Sequence, residues 1–194
     1  MVPSPNRFAV PGEGYGEGVM RWYWIDRFLE FESGRRAKAI KNVSLAEEYL
    51  HDNFPYYPIM PASLVIEGLA QTGGLLICEH GQFREKVVLA KVPKVTFYSE
   101  AVPGDTLIYT TTVEYIKDEG AMVTATSHKG DVLHAEAEIV FAHLNDPRLG
   151  SLFEPETFLR MMRLLGAFEV GHAADGGPLR PPARLLEAVN GTGA

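Results

Sequence analysis

Residues 62–79 read ASLVIEGLAQTGGLLICE, and this stretch decides the fold. Pro61 suits the first position of a helix, and no breaker except glycine follows until Glu79, so a helix is predicted over 62–79. Leu64, Val65, Ile66, Leu69, Ala70, Leu75, Leu76 and Ile77 cover nearly every face of it. A helix that is apolar all round is a buried helix. Gly68, Gly73 and Gly74 admit other backbone closely, at some cost in helix propensity.

The flanking segments are read as strands. Upstream, 21–31 is rich in aromatic residues (Trp22, Tyr23, Trp24, Phe28, Phe31), and a turn at Ser33–Gly34 leads into a second strand, 36–43. Ser44 with Glu47 makes a capping-box signal for a short helix through residue 50, followed by a proline-punctuated loop over 54–61. Downstream, strands are predicted at 87–101, 106–117, 121–128 and 131–142, with hairpin turns at 118–120 and 129–130. The last strand alternates, with Ala135, Ala137, Ile139 and Phe141 on one face and His134, Glu136 and Glu138 on the other. Two strands, one buried helix and an antiparallel meander make an α+β domain, a six-stranded curved sheet wrapped around a central helix.

That domain is expected over 20–144. Residues 1–19, rich in glycine and proline, are expected to be a flexible arm outside the core. The remainder, 145–194, is a C-terminal extension with one helix over 155–166. Phe158, Met161, Met162 and Leu165 form its apolar stripe, and Arg160 and Arg163 lie off it. Past Gly171 the composition predicts disorder, with a weak final turn at 184–189.

Composition narrows the function. The 194 residues are 46% hydrophobic and 22% charged, ordinary for a soluble globular chain. A net charge of −7 argues against a nucleic-acid surface. No apolar run is long enough for a membrane span, and the first residues lack the pattern of a signal peptide. The single cysteine, Cys78, excludes an internal disulfide and fits a reducing, cytoplasmic setting; its place late in the buried helix suits a core residue better than a nucleophile. His80, His128, His134, His143 and His172 have no metal-ligand spacing, so neither metal nor cofactor is expected.

One polar line breaks the apolar helix: Ser63, Glu67 and Gln71, spaced by four. Burying a carboxylate costs several kcal/mol or drives it toward its protonated form. Either Gln71 and backbone groups satisfy Glu67 in a structural network, or the carboxyl is kept for proton transfer. The free N–H groups at Ala62 and Ser63, at the positive end of the helix, either polarise a substrate carbonyl or are simply the terminus that every helix has.

The stretch AIKNVSLAEEYLHDNFPYYPIMPASLVIEGLAQTGG, residues 39–74, resembles the signature of the beta-hydroxyacyl-acyl-carrier-protein dehydratases. Their pattern runs Lys-Asn-Val-Thr, Gly-His-Phe-Pro-Gly, Pro-Gly-Val-Leu and Glu-Ala-x-Ala-Gln. It continues into KVPKVTFYSEAVPGD at 91–105, and the resemblance covers about 21–143. The family has the hotdog fold, a curved antiparallel sheet around a central helix. The resemblance implies an acyl thioester substrate, on acyl carrier protein or coenzyme A, and assembly as a homodimer or trimer of dimers. It makes Glu67 the catalytic Glu, Gln71 its companion one turn on, and Ala62 the residue whose N–H binds the thioester carbonyl, with Ser63, Phe54 and Pro55 against the substrate. The family's base, a His before Phe-Pro supplied by the other subunit, is replaced by Asn53, which cannot accept a proton. His51, two positions earlier, is either a relocated base or a solvated loop histidine. Where family members carry two arginines at the tunnel mouth, this chain has Tyr98 and Ser99; Arg35, Arg36, Lys38 and Lys41 offer an alternative basic patch or a solvated strand face. Three readings follow: a hydro-lyase on 3-hydroxyacyl thioesters, a thioesterase on the same scaffold, and a non-catalytic acyl-chain or carrier-protein binding module.

Overall fold

The computed structural model describes residues 23–52, 56–144, 155–183 and 185–186. In chain order the elements are β1 (Arg27–Glu32), β2 (Arg36–Asn42), α1 (Tyr49–Asp52), α2 (Ala62–His80), β3 (Lys86–Phe97), β4 (Thr106–Lys117), β5 (Gly120–Lys129), β6 (Val132–Leu144), α3 (Pro155–Leu164), α4 (Ala167–Val170) and β7 (Gly171–His172). The strands form one sheet in the order β3-β6-β5-β4-β2-β1-β7, antiparallel except where β7 runs parallel to β1. The sheet is curved, and α2 packs on it against β2, β3, β4, β5 and β6. This is the hotdog architecture.

Strand register explains how one face becomes the core. Phe31, Ala37, Thr111, Ala125 and Ala137 align in one row, and Phe28, Ala39, Tyr109, Ser127 and Ala135 in the next; all are buried. A bulge between Phe28 and Glu30 lets both phenylalanines of β1 point inward. The rows between them, such as Lys38, Thr110, Thr126 and Glu136, face the other way, so the outer surface is polar. The alanine rows let α2 settle deeply, and its glycines complete the approach. A Cβ on Gly68 would lie 2.4 Å from the Tyr109 ring and 2.8 Å from the Trp24 carbonyl oxygen.

The sheet has seven strands, not six. The extension adds β7: the Phe28 N–H donates to the Leu165 carbonyl at 2.8 Å, and the Ser33 N–H to the His172 carbonyl at 2.9 Å. Leu159, Met162 and Leu165 are buried at 2% exposure or less, each contributing about 1.5–3 kcal/mol of apolar burial. Phe158 stacks on Phe83 with ring centroids 6.2 Å apart. The extension therefore covers the β1 edge, whereas β3 remains a bare edge among the described residues.

Other expectations are corrected. The segment after Gly171, expected to be disordered, is ordered through residue 183: His172 bridges Pro178, the Leu179 N–H donates to the Gly171 carbonyl, and Leu179 and Leu185 are buried. Two well-placed leucines and a strand pairing outweigh a glycine- and proline-rich average. The helix expected over 44–50 is a turn followed by the four-residue α1. Ser44 N–H does donate to Glu47, but the Ser44 hydroxyl takes the Ala46 N–H, and Glu47 is further engaged by Lys41 and Tyr49. His134, expected on the polar face, is 1% exposed because a bulge at Ser127/His128 shifts the register and sets its ring 3.0 Å from the Ser127 hydroxyl. The strand expected over 21–31 begins at Arg27, and residues 21–22 lie outside the described residues, as do the expected arm, 1–19, and 187–194. No helix among the described residues is long and apolar enough to cross a membrane.

Candidate active site

The start of α2 is fixed from outside the helix. Met60 is buried, and its N–H donates to the Ala101 carbonyl at 2.8 Å, pinning the loop to the β3–β4 connection. Tyr57, also in this loop, donates its hydroxyl to Glu100, which pushes the phenol above its ordinary range. Pro61 caps the helix without a side-chain hydrogen bond, and the first turn has no acidic residue. Ala62 and Ser63 are exposed there, so the positive end of α2 is open to an incoming acceptor.

Glu67 lies further along the same helix. It is half-buried rather than enclosed. The Gln71 side-chain N–H donates to Glu67 Oε1 at 3.1 Å, and Gln71 Oε1 in turn accepts the Trp24 backbone N–H at 2.9 Å. Spacing by four thus produces one real contact, Glu67 to Gln71; Ser63 stays at the surface. His51 is exposed on α1. Asn53, Phe54 and Pro55 fall outside the described residues.

Positions 98 and 99 do not form a cationic rim. Tyr98 and Ser99 are exposed, and the Tyr98 phenol is raised by its hydrogen bond to Glu136. Lys94 lies 3.6 Å from Glu136, and Lys129 pairs with Asp105 at 3.2 Å while donating to the Glu100 carbonyl. The alternative basic patch is neutralised as well. Arg35 pairs with Glu32, Arg36 and Lys38 with Glu30, and Lys41 with Glu47 and Asp26. These residues form a cross-strand ion-pair ladder, not a free cationic surface.

The sequence carries no signal for the Trp24 contact, since a backbone atom makes it. It also did not single out Glu79, which is 4% exposed near the far end of α2 with Oε2 lacking a hydrogen-bond partner among the described residues. Burial pushes the Glu79 carboxyl up, against the opposing pull of Ser33 and His80. Cys78 beside it is buried and pushed up to about 12 by burial, as befits an inert core thiol. Among the described residues, no group of three or more His, Cys, Asp or Glu is placed to hold a metal ion.

The curved sheet around a central helix places the chain in the hotdog-fold class. Within that class, residues 20–142 match the FabA-like domain, and the chain belongs to the beta-hydroxyacyl-acyl-carrier-protein dehydratase family. It is 39% identical over 119 residues to the 3-hydroxyacyl-(acyl-carrier-protein) dehydratase FabZ of Desulforamulus reducens, covering 61% of this chain and 84% of that protein. The enzyme of the same name from Listeria monocytogenes is 36% identical over 128 residues, covering 64% of this chain and 87% of that one. Among solved structures, the dehydratase heterocomplex ApeI:P from Xenorhabdus doucetiae aligns with a TM-score of 0.55 at 14% identity, over 66% of this chain and 88% of that one. A Streptococcus mutans protein bound to acetyl CoA aligns with a TM-score of 0.52 at 16% identity, over 68% of this chain and 97% of that one. At these identities the structures support the fold.

Proposed function

We propose that the chain is a (3R)-hydroxyacyl-thioester dehydratase, a hydro-lyase of fatty-acid or related acyl-chain biosynthesis, with Glu67 as its principal acid/base. The observation that carries this reading is the half-buried Glu67 carboxylate, held by Gln71 on an otherwise apolar helix, in a chain of the dehydratase family. The N–H groups at Ala62 and Ser63 polarise the thioester carbonyl and so acidify the proton on the adjacent carbon. The Glu67 carboxylate takes that proton, the bond from the β-carbon to its hydroxyl breaks as the carbon–carbon double bond forms, and Glu67 passes the proton to the departing hydroxyl, which leaves as water. Asn53 orients the carbonyl or the hydroxyl, while Phe54 and Pro55 bound the acyl chain; His51, exposed on α1, is the available imidazole if its loop brings it inward. The curated relatives are named for an acyl-carrier-protein substrate, and we extend that substrate or its coenzyme A counterpart to this chain. A cytoplasmic setting goes with this reading.

Assembly follows from the bare β3 edge. Leu89, Val95 and Tyr98 are exposed along or just beyond it at 44%, 38% and 55%. A second copy pairing there gives a homodimer, alone or as the unit of a trimer of dimers, and removes the edge from solvent.

Asn53 favours a second reading, a homologue that binds acyl chains or carrier protein without efficient turnover. A thioesterase would use the same scaffold, with Glu67 activating water and Asn53 holding the carbonyl. The test offers 3-hydroxyacyl thioesters on carrier protein and on coenzyme A, and follows enoyl thioester and free thiol separately. Enoyl product that grows with Asn53→His and disappears with Glu67→Gln supports the dehydratase. Thiol release without enoyl product selects the thioesterase. Binding without turnover, unchanged by Asn53→His in a folded chain, selects the binding module.

A further inference from the structure

We propose that Trp24 is a positioning residue that ties α1, the helix leading into residues 53–55, to the Glu67–Gln71 pair. The inference rests on the reading of Glu67 as the acid/base and adds the group that holds its partner in place.

A glutamine amide has one accepting end and one donating end, and here both are used. The Trp24 backbone N–H donates to Gln71 Oε1 at 2.9 Å, which turns Nε2 toward Glu67 Oε1 at 3.1 Å. With the amide reversed, its oxygen would face the carboxylate and its NH₂ would face the Trp24 N–H, two repulsive contacts. The Trp24 donor therefore sets which way the amide faces. Through the amide it holds one Glu67 oxygen, Oε1, in place. Among the described residues Oε2 takes no hydrogen bond, so it is the oxygen left for substrate.

Trp24 is itself held on two sides. Its carbonyl oxygen lies against Gly68, in space that a Cβ at 68 would enter at 2.8 Å. Its ring meets Tyr49, the first residue of α1, edge-on with centroids 5.4 Å apart and planes at 63°. The Tyr49 hydroxyl donates to Glu47 Oε2 at 2.9 Å, and Glu47 is anchored by the buried Lys41 of β2 and by the Ser44 N–H. A continuous path thus runs from Lys41 through Glu47, Tyr49, Trp24 and Gln71 to Glu67. Trp24 touches both α1, through Tyr49, and the carboxylate's partner, Gln71. A tryptophan that merely filled space would leave the Gln71 amide indifferent to changes in α1.

The experiment measures hydrogen exchange of the Gln71 side-chain amide by NMR in the full-length chain, with its signal assigned by loss in Gln71→Leu. Trp24→Ala keeps the backbone N–H but removes the ring, and Tyr49→Leu removes the surface the ring rests on. Each is expected to speed Gln71 exchange about tenfold, the scale of one hydrogen bond, while Trp24→Phe stays within about twofold of the parent. In turnover, the first two variants should lower kcat about tenfold with KM little changed, as for a group that orients without binding. Unchanged Gln71 exchange in a folded Tyr49→Leu chain overturns the proposal, as does Trp24→Phe behaving like Trp24→Ala. If the parent chain dehydrates no 3-hydroxyacyl thioester, the functional reading fails, and the exchange measurement still decides the role of Trp24.

Discussion

The two ends of α2 each carry a glutamate, and they could hardly be treated more differently. Glu67 is half-buried near the open start, its Oε1 receiving Gln71. Glu79 lies about 18 Å further along at the 1.5 Å rise of a helix, shut in at 4% exposure with Oε2 unpartnered among the described residues. Judged by burial and perturbed ionisation alone, Glu79 would be taken for the functional carboxylate. The surroundings argue otherwise. Glu67 has a donor holding one oxygen, a neighbouring set of helix-start N–H groups, and a route to solvent at Ala62 and Ser63. Glu79 faces the β1–β2 turn through Ser33 in a region covered by the C-terminal extension. A carboxylate that must exchange protons with a substrate needs support and access together. Burial by itself marks only a cost.

The largest expected effect tests that contrast directly. Glu67→Gln should lower dehydration by about 10²–10⁴-fold, the usual contribution of a positioned acid/base group, while Glu79→Gln stays within about twofold of the parent. Steady-state rates on a 3-hydroxyacyl thioester, with folding checked by circular dichroism, give the answer. A collapse of activity in a folded Glu79→Gln chain would reverse the assignment of the two ends.

A smaller effect separates the packing of the two ends. Alanine at Gly68 would place Cβ 2.4 Å from the Tyr109 ring and 2.8 Å from the Trp24 carbonyl, so helix and sheet must part. A loss of about 1–3 kcal/mol in denaturant unfolding is expected, as for overpacking elsewhere. At Gly74 the nearest atom is Phe141 Cε1 at 3.3 Å, a contact that a slight ring shift relieves. There the gain in helix propensity, about 1 kcal/mol, should leave Gly74→Ala near neutral or mildly stabilised. Equal destabilisation at both positions would show that the helix is seated no more tightly near Glu67 than beyond it.

The contrast also shows what a sequence exposes. The apolar run of α2 and the alternation in β5 and β6 are periodic, and periodicity reports a buried helix and a half-buried sheet directly. The pair Glu67–Gln71 was legible because both are side chains at helical spacing. Trp24 was not, because its contribution is a main-chain N–H that any residue except proline would present. The inward turn of His134 depends on a bulge, which shifts the phase of alternation without leaving a mark in composition. β7 is two residues long and set by pairing with β1, so a glycine-rich tail concealed it. Asn53 belongs to a different kind of legibility: its meaning comes from the family pattern, not from a physical signal of its own.

The smallest predicted effect concerns the cost of Glu79 and its dependence on pH. Burial raises the folded-state pKa of Glu79 above the ordinary value of 4.5, so the folded chain prefers this carboxyl protonated. Its favourable contribution is therefore complete below about pH 4.5 and is lost as pH rises through the raised value. Glu79→Gln removes the titration while preserving shape and much of the hydrogen bonding. The variant should melt about 2–4 °C above the parent at pH 8, a modest change for a chain of this size, and the gain should shrink toward zero near pH 4. Comparing the two proteins at each pH cancels other titrations, including His134, whose pKa is lowered by burial and by Lys129 and which therefore destabilises the fold on the acid side. A gain that is constant with pH would mean that Glu79 carries no ionisation penalty and that the substitution acts through packing alone. A loss at pH 8 would mean that the ionised carboxylate has a partner worth more than its burial costs. In that case the far end of α2, too, would be a supported site rather than a closed one.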